Sequence, residues 1–113
     1  MAIFLLGIVS GTASAAGNIV LNFPASWGLA QNDVVYVMVA SSSTADQNVT
    51  ATGAGTWSEL ADLYGNDTTD VNMGVYRRVM GATPDSSVTL DGTSGSANHA
   101  AIAVALRGVD TGT

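Results

Sequence analysis

The stretch Val34-Val35-Tyr36-Val37-Met38-Val39-Ala40 is apolar at odd and even positions alike, and this restricts what the chain can become. The run is short for a free-standing helix, dominated by Val, and bracketed by turn formers, Gln31-Asn32-Asp33 before it and Ser41-Ser42-Ser43 after it. It reads as the central strand of a sheet. A strand with no polar face is covered on both sides by its own domain, or on one side by the core and on the other by a neighbouring molecule.

The rest of the chain supplies partners for such a strand. Ile3 to Val9 reads as an opening strand closed by Ser10-Gly11-Thr12, and Asn18 to Phe23 alternates, with Ile19, Leu21 and Phe23 on one face, until Pro24 ends it. Ala25 to Asp33 is a connection around Trp27-Gly28, with Trp27 expected to plug the core or an interface. Asn48 to Thr52 reads as a short strand. Trp57 to Tyr64 alternates poorly and its Leu60, Leu63 and Tyr64 also fit a helical turn, but so short a helix is marginal and a strand is the better assignment. Val71 to Met80 places Val71, Met73, Val75 and Val79 on one face and Tyr76 and Met80 on the other; Ser87 to Asp91 alternates again. In the last strand, Asn98 to Leu106, one face holds Ala100, Ile102, Val104 and Leu106, the other His99, Ala101, Ala103 and Ala105. Nearly pure alanine on that second face implies that something approaches it closely.

Seven or eight short strands separated by turn signals predict an all-β fold, an antiparallel β-sandwich of jelly-roll or immunoglobulin-like topology. A chain of 113 residues makes one domain, 1–113, with residues 1–16 as a first strand or an extended N-terminal arm. Ala2 to Val9 followed by Thr12 to Ala16 imitates a secretory h-region and small-residue cleavage site, but no basic residue accompanies it, and the strand reading is preferred.

Composition removes several functions. With no Cys, disulfides and thiolate metal sites are excluded. Nine acidic residues against Arg77, Arg78 and Arg107, with no Lys, give a net charge of −6, too few cations to neutralise a nucleic-acid backbone. Charged residues are 11% of the chain, against roughly 25% in ordinary domains, which suits a subunit packed in an assembly.

Side chains that could carry chemistry are sparse. His99, the one histidine, sits in a strand between Asn98 and Ala100 and is expected to be a surface or interface residue rather than a triad base; at a subunit contact its protonation would weaken assembly below about pH 6. Asp62, Asn66, Asp67 and Asp70 offer oxygen ligands without the spacing or closing Glu of a calcium loop, so a solvated turn is expected. Arg77 and Arg78 point to opposite faces of one strand, either as an ion pair and a solvated cation or as anchors to an acidic neighbour. Tyr36, Tyr64, Tyr76, Trp27 and Trp57 could form a sugar-stacking platform, although most are needed for the core. No catalytic, cofactor-binding or metal-binding residue is assigned.

Five segments occur in a telling order: Asn32-Asp33-Val34-Val35, Gly55-Thr56-Trp57-Ser58-Glu59-Leu60, Val75-Tyr76-Arg77-Arg78-Val79, Ser87-Val88-Thr89-Leu90 and Ala105-Leu106-Arg107-Gly108-Val109-Asp110. From about Asn18 to Asp110 the chain resembles a β-sandwich module that recurs in tailed-phage virion proteins and some bacterial surface proteins, with Asn32 in place of the usual Gly. The resemblance implies a non-enzymatic virion structural protein, most of all a capsid decoration (cement) subunit, on the outer capsid surface or in the tail. Its expected partners are the major capsid protein or other virion proteins and further copies of itself in a homotrimer, without nucleic acid or membrane. Met1 to Val9 is the segment expected to pair with a neighbour's sheet edge. A tail-fibre or cell-surface carbohydrate-binding (adhesin) module is the alternative.

Overall fold

A computed structural model describes residues 2–14, 17–42, 49–65, 71–91 and 98–111. Its strands are β1 (Phe4–Ala13), β2 (Asn18–Asn22), β3 (Val34–Ser41), β4 (Thr50–Thr52), β5 (Ser58–Gly65), β6 (Val71–Val79), β7 (Ser87–Asp91) and β8 (His99–Arg107). They form a five-stranded sheet in the order β1-β8-β3-β6-β5 and a three-stranded sheet in the order β2-β7-β4, with antiparallel pairing throughout. The predicted all-β sandwich is the fold observed. The apolar run Val34 to Ala40 lies in the middle strand of the larger sheet, paired on one side with β8 and on the other with β6.

Period-2 alternation then sorts the side chains. Val35, Val37 and Val39 of β3 join Ile19, Leu21, Val88 and Leu90 of the smaller sheet in one buried cluster. Ala101, Ala103 and Ala105 belong to that same cluster, so the alanine face of β8 is the interior face. What approaches it closely is the chain's own second layer, not another molecule. The bulkier row, Ala100, Ile102, Val104 and Leu106, points outward.

The N-terminal segment is an edge strand of its own sheet. Strand β1 pairs with β8 from Phe4 opposite Arg107 to Ala13 opposite His99, with a bulge between Leu5 and Gly7. It runs through Ser10-Gly11-Thr12, which the sequence suggests as a turn. The glycines serve space here: the Trp27 indole occupies the place a Cβ on Gly7 would take, and a Cβ on Gly11 would lie 3.1 Å from both Ile19 and Leu21. Trp27 ends a 3₁₀ turn, Ala25–Trp27, and stacks on Phe23 at 5.6 Å between ring centroids; Trp57 is tilted against Phe23 at 6.4 Å. These rings close one end of the sandwich.

Strand β5 explains its own poor alternation. A bulge between Glu59 and Ala61 shifts the register, so that Glu59, Asp62 and Tyr64 face the inner side and Ser58, Ala61 and Leu63 the outer. None of its residues enters the core cluster; the strand overhangs the three-stranded sheet.

Three polar contacts pin the frame. Arg107 grips the buried Asp33 with Nε to Oδ1 at 2.8 Å and a terminal nitrogen to Oδ2 at 2.7 Å, and donates to the Gly28 carbonyl, clasping the entry to β3 against the end of β8. Arg78 reaches Asp85 at 3.4 Å, and Asp85 also accepts the Gly55 amide. The Tyr76 hydroxyl shares its proton between the Val49 carbonyl at 2.6 Å and Glu59 Oε2 at 3.0 Å, joining β6 to the segment that enters β4.

Two pH dependences follow. The Arg107 guanidinium holds the Asp33 carboxyl below its ordinary 3.8, so the stabilisation is present above that pH and disappears as pH falls through the lower folded value. Arg107→Leu leaves Asp33 buried with only the Ala30 amide, whereas Asp33→Asn leaves an arginine free to turn into water; Arg107→Leu is therefore expected to cost more stability and to move acid unfolding to higher pH in a circular-dichroism titration. Burial, reinforced by Glu59, pushes the Tyr76 phenol from 10.0 up to about 12, so its stabilisation is complete below pH 10.0 and is lost as pH rises through about 12. Tyr76→Phe should lower stability to urea by about 1 to 2 kcal/mol at neutral pH and flatten that alkaline loss.

Candidate functional site

The outward side of the five-stranded sheet carries its side chains in rows across the strands. One row is Ile8, Val104, Tyr36, Arg77 and Ser58; the next is Ser10, Ile102, Met38, Val75 and Ala61. The third runs Thr12, Ala100, Ala40, Met73, Leu63. Met38, in the central strand, is 48% exposed, and Ile8 and Leu63 on the two edge strands are 54% and 55% exposed. Five strands at about 4.8 Å spacing and the five positions that these rows span at about 3.3 Å give a footprint of roughly 400 Å². That falls within the range of the largest apolar patch on a typical monomer and is about half of the ~800 Å² that one partner contributes to a standard protein complex. Its uncharged polar members Ser10, Thr12 and Ser58 lie on the edge strands, and Arg77 lies one strand in from the edge.

The smaller sheet provides an internal contrast. Its outward rows are Asn18, Asp91 and Thr50, then Val20, Thr89 and Thr52, which is how a solvated sheet face reads. The apolarity of the other face is therefore specific to it. Strand β5 makes the same point, because it widens this face without adding to the core.

The residues singled out in the sequence fall elsewhere, with one exception. His99 is 3% exposed on the inner side, so it is a buried residue and not a surface or subunit-contact histidine. It lies beside Ser41, but neither ring nitrogen nor the Ser41 hydroxyl has a hydrogen-bond partner, so no nucleophile, base and orienting acid are chained together among the described residues. Both flank a groove of about 670 Å³ that also touches Ala13, Ala40 and Asn98. Trp27, Trp57 and Tyr76 are buried, which removes most of the sugar-stacking platform. Asp62 sits on the overhanging strand, while Asn66, Asp67 and Asp70 lie outside the described residues; among the described residues no cluster of three acidic or histidine side chains could hold a metal. No described helix is long and apolar enough to cross a membrane.

Arg77 is the exception. Arg78 is taken by Asp85 on the inner side, and Arg77 stands on the outward face as its one charged side chain among the described residues, between Tyr36 and Ser58.

An outward position tolerates charge where an inward neighbour does not. Met38→Glu is expected to change stability by about 1 kcal/mol or less, whereas Val37→Glu, one residue away and fully buried, should prevent folding; urea unfolding followed by circular dichroism measures both.

Comparison of this chain with protein-family models, with curated proteins and with solved structures finds no match.

Proposed function

We propose that the chain is a non-enzymatic structural subunit that docks on other proteins through the outward face of its five-stranded sheet, and that its place is a virus particle, as a decoration (cement) subunit on the capsid. The single observation that carries the docking role is the apolar face, with an overhanging strand that enlarges it and no described element of the chain laid on it. The virion placement draws on the order of motifs shared with tailed-phage modules. A subunit of this kind stabilises a shell by burying further area across neighbouring capsomers, and repeated contacts on one particle strengthen one another through avidity.

The alanine face drops out as a docking element because it is interior, whereas the N-terminal segment is paired with β8 on one side and stands at the edge of its sheet on the other. The outer edge of β1 still borders the apolar face. Tail and capsid separate in one preparation: particles from the source culture are fractionated into heads and tails, and the chain is quantified against the major capsid protein. A fixed ratio in heads is expected, and the Met38→Glu, Val75→Glu double variant should remain in the unbound fraction while staying folded. Absence of the chain from particles, or full occupancy by the double variant, would overturn the reading.

A further inference from the structure

We propose that the partner on this face is a protein of different sequence that presents a flat apolar surface bearing one projecting apolar side chain and, roughly 13 Å away, a carboxylate. This rests on the docking role above and goes further, in stating what the partner carries and that it is not a second copy of the chain.

The projecting side chain has a receptor. Between Met38, Met73 and Ile102 the small residues Ala40 and Ala100 leave a hollow of about 220 Å³ in the outward face, room for one Leu, Met or Phe side chain. Such pockets near the centre of an otherwise flat interface are where binding energy concentrates. The carboxylate has one as well. Arg77 lies four positions along β6 from Met73, roughly 13 Å at the rise of a strand, half-buried among apolar neighbours. Arg78 and Arg107 each hold a buried aspartate, but Arg77 has no ion pair among the described residues. A protein laid over the face strips water from this guanidinium, and a stripped cation without an acceptor opposes binding.

That requirement selects the partner. Among the described residues the outward rows contain no Asp or Glu; Glu59 and Asp62 of the nearest strand face the inner side. Two copies stacked face to face would bury two guanidinium groups, and the described outward rows would bring no carboxylate to either. A partner with an Asp or Glu in register supplies a charge-assisted bond, often bidentate, and fixes orientation on a face that is otherwise uniform.

The absence of lysine from the chain makes this testable at one atom. Arg77→Lys keeps the charge and introduces the only side-chain amine, which a zero-length carbodiimide joins to a carboxylate in contact with it. The variant replaces the native chain in the source culture, cells are cross-linked, the particle and soluble fractions are separated, and the peptides joined to residue 77 are sequenced by mass spectrometry. The expected product links residue 77 to one Asp or Glu of an identified protein other than this chain. Adding Ala40→Phe, which fills the hollow from the outside, should cut its yield about tenfold or more. A Thr89→Lys chain, with its amine on the polar sheet, should not give it. A link to a second copy, or no link at residue 77 in either fraction, overturns the proposal. A heterologous link in the soluble fraction alone upholds it and removes the virion placement instead.

Discussion

A two-layer sandwich has one interior, and its central strand has two apolar faces. From that mismatch the rest of the molecule follows. Val35, Val37 and Val39 are buried under the three-stranded sheet, while Tyr36, Met38 and Ala40 look outward into a surface that no described element of the chain covers. Strands on either side of β3 repeat the choice: β8 turns alanines inward and Ile102, Val104 and Leu106 outward, and β6 turns Tyr76 inward and Met73 and Val75 outward. The larger side chains of β8 thus face away from the core, the reverse of what a monomer designed for its own stability would do.

Magnitudes bear on the proposed docking role. Even if the whole footprint of roughly 400 Å² were apolar, about 25 cal/mol per Å² makes it worth at most about 10 kcal/mol gross when buried, against 4 to 15 kcal/mol for the freedom lost on association. Area alone therefore leaves little net affinity. A specific complex on this face needs local features that add to it, and the hollow over Ala40 and Ala100 and the cation at Arg77 are two that interrupt its flatness.

Most strands were legible because their alternation is clean, and the failures have definite causes. Glycine in β1 looks like a turn and is instead the clearance that Trp27, Ile19 and Leu21 require. The bulge after Glu59 moves every later side chain of β5 to the other face, which a strict period of two cannot register. Alternation also tells which residues share a face without telling which face is inside. For β8 the answer was available in combination: alanines at 101 and 105 are paired with Gly11 and Gly7 of β1, and a row of such small residues leaves room for the large side chains of a second layer. His99 follows its strand to the inside for the same reason, and the docking face emerges only once that inversion is made.

The motifs behind the family resemblance turn out to be the joints of the frame. Asp33 and Arg107 are 74 positions apart in sequence and clasp each other. Asn32 before the aspartate holds a φ of 72°, and Gly108 after the arginine one of 86°, left-handed conformations suited to Gly and Asn. Gly55 packs under the Arg78 guanidinium and donates to Asp85, and Tyr76 ties β6 to Val49. Each of these residues is used internally, so their order along the chain describes a scaffold and says little about what the scaffold carries. Function then has to reside in positions the motifs leave free. On this chain those are the outward positions of the five-stranded sheet, and within Val75-Tyr76-Arg77-Arg78-Val79 they include Val75 and, between Tyr76 and Arg78, Arg77. Its two neighbours bind the domain to itself, and Arg77 is turned toward whatever lies against it.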